Sequence, residues 1–165
     1  DNTYIVFTAD HGLSLGHHGL IGKQNMYEHS IRVPFIVKGP GVKAGKDVDV
    51  PIYLQDVMAS SLDWAGIEKP EYVDFNSVAP LLKGKKKGNY DRIYGAYINR
   101  QRMVKEDGWK FISYPTANVE RLYNLNKDPH EMEDLALNPE YAGKMNQMRK
   151  KLKALQVELG DELEL

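Results

Sequence analysis

Two apolar runs near the start of the chain carry no polar interruption: Tyr4-Ile5-Val6-Phe7, ending at Thr8, and Val33-Pro34-Phe35-Ile36-Val37, closed by Gly39-Pro40-Gly41. Unbroken β-branched and aromatic stretches of this length predict strands covered on both faces, the pattern of a parallel sheet with helices on each side. Residues 9–32, which join them, are rich in glycine and histidine and have weak periodicity. Connections within compact domains are ordinarily short, so a segment this long is expected to carry function. The first run begins almost at residue 1, and the chain is therefore expected to be a fragment.

After Pro51, the residues Leu54, Val57, Met58, Leu62 and Ala65 recur at helical spacing, and Gly66 stands where a left-handed cap would end an amphipathic helix. Lys83 to Gly88 is charged and broken by glycine, which makes it the expected boundary between two parts, 1–88 and 89–165. Beyond it, Arg92 to Ile98, Arg102 to Lys105, Trp109 to Tyr114 and Arg121 to Leu125 are short strand-like runs, with Glu106-Asp107-Gly108 as a hairpin signal. They predict a small antiparallel sheet. Its aromatic residues Trp109, Phe111, Tyr114 and Tyr123 are expected mostly in the core, with stacking on a sugar as the alternative use. Asn138-Pro139 then opens a long helix whose stripe Tyr141, Met145, Met148, Leu152, Leu155 and Leu159 is read as the face packed on that sheet. Three heptads are too few to prefer a coiled coil. The fold class is thus α/β, followed by a small antiparallel sheet with a long C-terminal helix.

A length of 165 residues suffices for a real core, and 42% hydrophobic with 27% charged residues is an ordinary globular composition. With 22 basic against 23 acidic residues the chain offers no support for nucleic acid or a membrane surface as partner. The lysine run 83–87 is read as a solvated turn. The chain has no cysteine, which excludes disulfides, thiolate metal sites and a cysteine nucleophile within it. No stretch reaches the ~18 apolar residues that span a bilayer, and no basic-then-apolar leader opens the chain, so any export signal lies outside it.

Ligands in open α/β sheets bind beyond the carboxyl ends of the strands, and Asp10 and His11 occupy that place after the first run. A carboxylate and an imidazole adjacent in sequence can both reach one cation where the backbone turns sharply, and Gly12 permits such a turn. The alternative is an Asp-His-Gly turn that caps the next element. Lys23, beside Gly22 in an apolar loop, can present an ammonium to an oxyanion, although most lysines are solvated surface groups. His17 and His18 either join His11 in a set that suits zinc or orient the loop by hydrogen bonds, His18 being the better placed. Glu28 and Arg32, four apart, are expected to form a bracing ion pair. Gly39 to Lys46 misses the phosphate-loop pattern, with Pro40 at the first glycine's place and Asp47 where a hydroxyl is needed.

Taken in order, Thr8-Ala9-Asp10-His11-Gly12, Leu15 to Lys23, Tyr27-Glu28, Arg32-Val33-Pro34 and Gly39-Pro40-Gly41 resemble the C-terminal half of type I sulfatases, in the alkaline phosphatase superfamily. Leu122-Tyr123-Asn124-Leu125, Asp128-Pro129, Glu131 and Asp134-Leu135-Ala136 look like that family's closing strand and turn. The resemblance implies an alkaline-phosphatase-like parallel-sheet sandwich for residues 1–88 and the antiparallel subdomain for residues 89–165. It implies that Asp10 and His11 are calcium ligands, that Lys23 contacts the sulfate group and stabilises the departing oxygen, and that His18 supports catalysis from the same loop. By ligand chemistry alone imidazole favours zinc, and only the resemblance decides for calcium.

The family's nucleophile is a formylglycine made from the Cys or Ser opening a C/S-x-P-S-R motif, and no serine here has proline two residues on and arginine four on. The nucleophile is therefore expected in a missing N-terminal half, and this chain alone is expected to be inactive. The function implied is hydrolysis of a sulfuric ester in a small molecule or glycan, in a periplasmic, secreted or lysosomal protein. Two alternatives stay open: a phosphoesterase or phosphonate monoester hydrolase of the same superfamily, and a non-catalytic module.

Overall fold

The computed structural model describes residues 2–165. In chain order its elements are strands β1 (Ile5–Thr8), β2 (Ser14–Leu15) and β3 (Ile21–Gly22), helix α1 (Glu28–Ile31), strand β4 (Phe35–Lys38), helices α2 (Asp56–Trp64) and α3 (Ala79–Leu82), strands β5 (Ile93–Tyr97), β6 (Gln101–Glu106), β7 (Trp109–Tyr114) and β8 (Val119–Asn124), and helix α4 (Ala142–Leu159). Two compact units contain them, one built from residues up to Asp10 and 34–91, the other from residues 11–33 and 92–165.

In the first unit β1 pairs with β4, and the pairing is antiparallel, with Ile5 opposite Lys38 and Thr8 opposite Phe35. The two runs thus pair with each other in antiparallel fashion, where their pattern suggested parallel strands. Ile5, Phe7 and Ile36 are 57%, 62% and 60% exposed, so one face of the pair is uncovered among the described residues. An unbroken apolar run states that both faces are suited to burial but not what buries them, nor which way the neighbour runs. The covered side is pinned by Tyr4, whose ring stacks on Trp64 at 4.5 Å and whose hydroxyl donates to the Pro40 carbonyl at 2.8 Å.

Helix α2 forms where the spacing predicts it, and Gly66, at φ 68°, caps its end as expected. Its buried stripe is different: Asp56, Ala59 and Ser60 point inward while Met58 is 53% exposed. Asp56 is inside because its carboxylate is saturated, accepting from Tyr53 N at 3.1 Å, Asn76 N at 3.1 Å and the Tyr90 hydroxyl at 2.6 Å. Ser60 Oγ accepts from Val78 N at 2.9 Å and donates to the Asp56 carbonyl at 2.6 Å. Burial, and then the bond to Asp56, push the Tyr90 phenol up to about 12.

The second unit is organised by an antiparallel sheet in the order β5-β6-β7-β8. The β6–β7 turn places Asp107 and Gly108 in the left-handed region, at φ 50° and 74°, as a two-residue hairpin with Asp-Gly at its centre requires. One sheet face packs Val104, Phe111 and Leu122 against Met145, Met148, Leu152 and Leu155 of α4, so the helical stripe serves the protein's own sheet. Leu159, at its end, lies outside this core and is 56% exposed. The helix is preceded by a single tight turn, residues 139–141, capped by Asn138 Oδ1 accepting from Glu140 N at 3.0 Å. The opposite sheet face buries Met103, Ile112 and Tyr123 against Met26 and Tyr27, which brings the histidine-rich loop onto the sheet. Phe111 and Tyr123 are core; Trp109 and Tyr114 are half-buried at its margin.

Candidate active site

Within the second unit the loop 11–33 is shaped by close backbone approach. Gly12 N donates to the Ser30 carbonyl at 2.9 Å, and a Cβ at Gly12 would overlap the His29 carbonyl. Gly12 therefore serves this approach and not a left-handed turn, since it is absent from the positive-φ residues. Strands β2 and β3 pair Ser14 with Gly22 and Leu15 with Ile21, and the tip between them is turned by left-handed Gly16, His18 and Gly19.

His11 and Lys23 meet: Nζ of Lys23 is 2.5 Å from Nε2 of His11. The other ring nitrogen, Nδ1, lies 2.8 Å from the Gly12 carbonyl. A carbonyl only accepts, so Nδ1 carries the proton and Nε2 presents its lone pair, which the lysine ammonium faces. This is the arrangement that metal-bound histidines adopt, with one nitrogen fixed by a carbonyl and the other available to a cation. The donors thus fit part of a cation site. Among the described residues no three His, Asp or Glu side chains converge as a metal would need. Asp10, exposed, ends the first unit, and His11 begins the second.

His17 and His18 are brought to other rings. His18 stacks on Tyr27 at 4.0 Å with an interplanar angle of 8°, and His17 stacks on His29 at 5.4 Å. His29 was not marked by sequence reasoning, yet its Nε2 is hydrogen-bonded to the buried Ser14 hydroxyl, which also accepts from Asn25 Nδ2 at 2.9 Å. Burial, then the neighbouring His18, His17 and Lys110, lower the proton affinity of His29. The only signal for it was its position directly after Tyr27-Glu28.

Glu28 does not brace the loop through Arg32, as its spacing suggested. Its carboxylate instead takes Lys105 at 2.9 Å and Lys110 at 2.8 Å, across on β6 and β7. Helix α1 is only a single turn and ends at Ile31, so the i,i+4 geometry is not developed, while the sheet offers two cations. Lys110, with no solvent exposure, also holds Glu131 at 2.6 Å and donates to the Met26 carbonyl at 2.9 Å. Glu131 Oε2 in turn accepts from Glu28 N at 2.7 Å. Burial works against charge on Glu28, but Lys110 and Lys105 outweigh it and hold the carboxyl below its ordinary value. Lys110 betrays itself in the sequence only as a lysine between Trp109 and Phe111; Glu131 stood out there only as part of the family's closing turn, with no hint of its partner.

The family model for the C-terminal region of N-sulphoglucosamine sulphohydrolase matches residues 16–158, which take in His17, His18, Lys23 and the whole antiparallel sheet. The chain belongs to this family. An arylsulfatase of Clostridium perfringens is 33% identical over 159 residues, covering 91% of this chain and 33% of its own length. A structure solved with its substrate D-glucosamine-2-N,6-O-disulfate superposes with a TM-score of 0.85 at 28% identity, covering 96% of this chain and 35% of that one. The phosphonate monoester hydrolase of Agrobacterium radiobacter, with a TM-score of 0.77 over 94% of this chain and 35% of its own, is 24% identical and shares the fold alone. The chain thus spans about a third of the curated relative it matches. The resemblance to the C-terminal portion of type I sulfatases is borne out, and the fold is of that class.

Proposed function

We propose that this chain is the C-terminal portion of a sulfatase, a hydrolase of sulfuric esters in small molecules or glycans. The observation that carries the reading is the Lys23 ammonium held against His11 in a loop of the sulfatase family. Lys23 is exposed on its loop and can turn its charge to a sulfate oxygen, where it neutralises the negative charge that builds as the ester oxygen departs. His11, its Nδ1 proton fixed on the Gly12 carbonyl, keeps Nε2 as a donor atom. Asp10 and His11 are the residues that would hold a divalent cation, calcium by the family resemblance, and a bound cation polarises sulfate oxygens. His18 acts from the same loop, with its ring immobilised on Tyr27.

The nucleophile, a formylglycine, belongs to an N-terminal half that completes the protein, and the 165-residue chain alone is inactive. The exposed apolar face of Ile5, Phe7 and Ile36 supports a covering partner segment. No helix among the described residues is long and apolar enough to cross a membrane. The family resemblance supports a location outside the cytoplasm, whether periplasmic, secreted or lysosomal. The phosphonate monoester hydrolase neighbour keeps a second reading in view, because an ammonium serves any tetrahedral oxyanion.

The test is reconstitution of the chain with the segment that completes it, assayed on 4-nitrophenyl sulfate and on a phosphonate monoester. Sulfate-ester turnover that Lys23→Ala lowers by roughly 100-fold supports the proposal. Turnover of the phosphonate alone, or sulfate turnover indifferent to Lys23, overturns it.

A further inference from the structure

Lys23 and Gln24 are exposed, yet residues 25–28, which follow them, are buried, and the backbone from Lys23 to Tyr27 belongs to no strand or helix. Backbone polar groups buried outside a ladder must find other partners. Here three side chains of the second unit supply them. Gln101 on β6 donates through Nε2 to the Gln24 carbonyl at 3.0 Å, Lys110 on β7 donates to the Met26 carbonyl at 2.9 Å, and Glu131 Oε2 accepts from Glu28 N at 2.7 Å. The tied residues are 24, 26 and 28, so the backbone leaving Lys23 is gripped at every second position. Two bonds within the loop carry that grip back to the lysine. Asn25 N donates to the Lys23 carbonyl at 2.9 Å, and Asn25 Nδ2 donates at 2.9 Å to Ser14 Oγ on β2, opposite Gly22.

The grip is made by groups that burial disfavours. Lys110 is fully buried, Glu131 is 2% exposed and Gln101 9%. Buried charges persist only where they are paired, and apolar residues of similar volume commonly hold a fold as firmly. Glu131 also sits in the left-handed region, at φ 58°, where a residue with a Cβ is uncommon. Strained and buried polar residues gathered on one segment serve to hold its geometry. That segment begins at the residue after Lys23, whose ammonium lies 2.5 Å from His11 Nε2.

We infer that Gln101, Lys110 and Glu131 are positioning residues for Lys23: by fixing the backbone of residues 24–28 they aim its ammonium at the site it shares with His11. They touch no substrate and act only through Lys23. A lysine on a free loop spreads its ammonium over many backbone and rotamer positions, whereas a group that stabilises charge in a transition state must already be in place when the charge develops. The inference rests on the sulfatase reading for what Lys23 does, and on the hydrogen bonds above for where it is held.

The test is a double-mutant cycle in the chain reconstituted with the segment that completes it, with turnover of 4-nitrophenyl sulfate as one readout and the His11 ¹⁵N ring signals as the other. Gln101→Met keeps the side chain's size and removes one donor, and it is the deciding variant. It is expected to lower kcat roughly tenfold with Lys23 present and to have no further effect in Lys23→Ala. A merely structural loss would lower both backgrounds by the same factor. The His11 Nε2 signal should move toward its value in Lys23→Ala. Lys110→Met is expected to act in the same way and more strongly, and its urea midpoint shows whether that variant remains folded. Equal loss in both backgrounds, or an unmoved His11 signal in Gln101→Met, overturns the inference. If Lys23→Ala itself leaves sulfate turnover unchanged, the sulfatase reading fails, and the His11 signal alone then decides the positioning.

Discussion

The ammonium of Lys23 lies 2.5 Å from Nε2 of His11, whose Nδ1 is 2.8 Å from the Gly12 carbonyl. The lone pair that would serve a cation is thus faced by a lysine donor, and the two compete for it. In ¹⁵N NMR the His11 ring is expected as the Nδ1–H form. Added calcium or zinc should shift Nε2 and leave Nδ1 protonated, and Lys23→Met should make the shift occur at lower cation concentration. An Nε2–H form, or a cation response at Nδ1, would contradict the geometry.

Gly12→Ala is expected to be among the most damaging small substitutions in the loop. Its methyl would meet backbone, the His29 carbonyl, which cannot swing aside as a side chain can. A loss of about 3 kcal/mol is expected in urea denaturation. The His11 ring signals should move as well, because the Gly12 carbonyl positions that ring. Gly16→Ala, which meets nothing within 4 Å, is the control, losing only the strain of its left-handed φ, roughly 1 kcal/mol.

Lys110→Met leaves Glu28 and Glu131 facing each other with their shared cation gone. The cost is expected at about 3 kcal/mol, because the buried Glu131 loses its counter-charge while Glu28 keeps Lys105 at 2.9 Å. Adding Glu28→Gln and Glu131→Gln to the same chain should recover part of that loss. Equal stability of Lys110→Met and the wild type would show that the cluster contributes nothing.

Acid weakens this fold in two stages. His29 binds a proton less readily folded than unfolded, so the unfolded state takes up the extra proton as pH falls through the ordinary histidine value of about 6.5, and stability declines. Glu28 acts lower: its folded value is depressed, so its contribution is complete above the unfolded carboxylate range and is lost as pH falls through the folded value. Urea midpoints recorded from about pH 8 to about pH 3 should fall in both windows, and His29→Asn should remove the upper one. A midpoint that is flat through the upper window in the wild type would contradict the His29 environment.

In the first unit, Asp56→Ala removes the acceptor that Tyr53 N, Asn76 N and the Tyr90 hydroxyl share, while Asn76 N keeps its bond to the Tyr90 hydroxyl at 3.2 Å. A loss of about 3 kcal/mol or more is expected, with Tyr90 titrating closer to its ordinary value once burial alone perturbs it. Calorimetry and ultraviolet titration of the tyrosines check the two parts separately.

Local information carried much of this architecture. Asp107-Gly108 named its hairpin, Gly66 and Asn138 named their caps, and the spacing from Met145 to Leu155 named the helical face, because each of these depends on a few neighbouring residues. Lys23, His11 and His18 were marked for the same kind of reason, as polar residues crowded after a strand, and the structure brings Lys23 to His11 and His18 to Tyr27. What was not legible lies across long separations. Glu28 finds Lys105 and Lys110 some eighty positions away, and Gln101 finds the Gln24 carbonyl. Spacing along the chain is silent on such pairs.

The sequence by itself determined the longer elements β1, β4 to β8, α2 and α4, since local periodicity and turn chemistry are properties of neighbours. Only the tertiary structure decided the antiparallel pairing of β1 with β4, the tautomer of His11 and the partners of Glu28. Those depend on which distant groups a buried polar atom meets, and desolvation makes that meeting decisive only once the chain has folded.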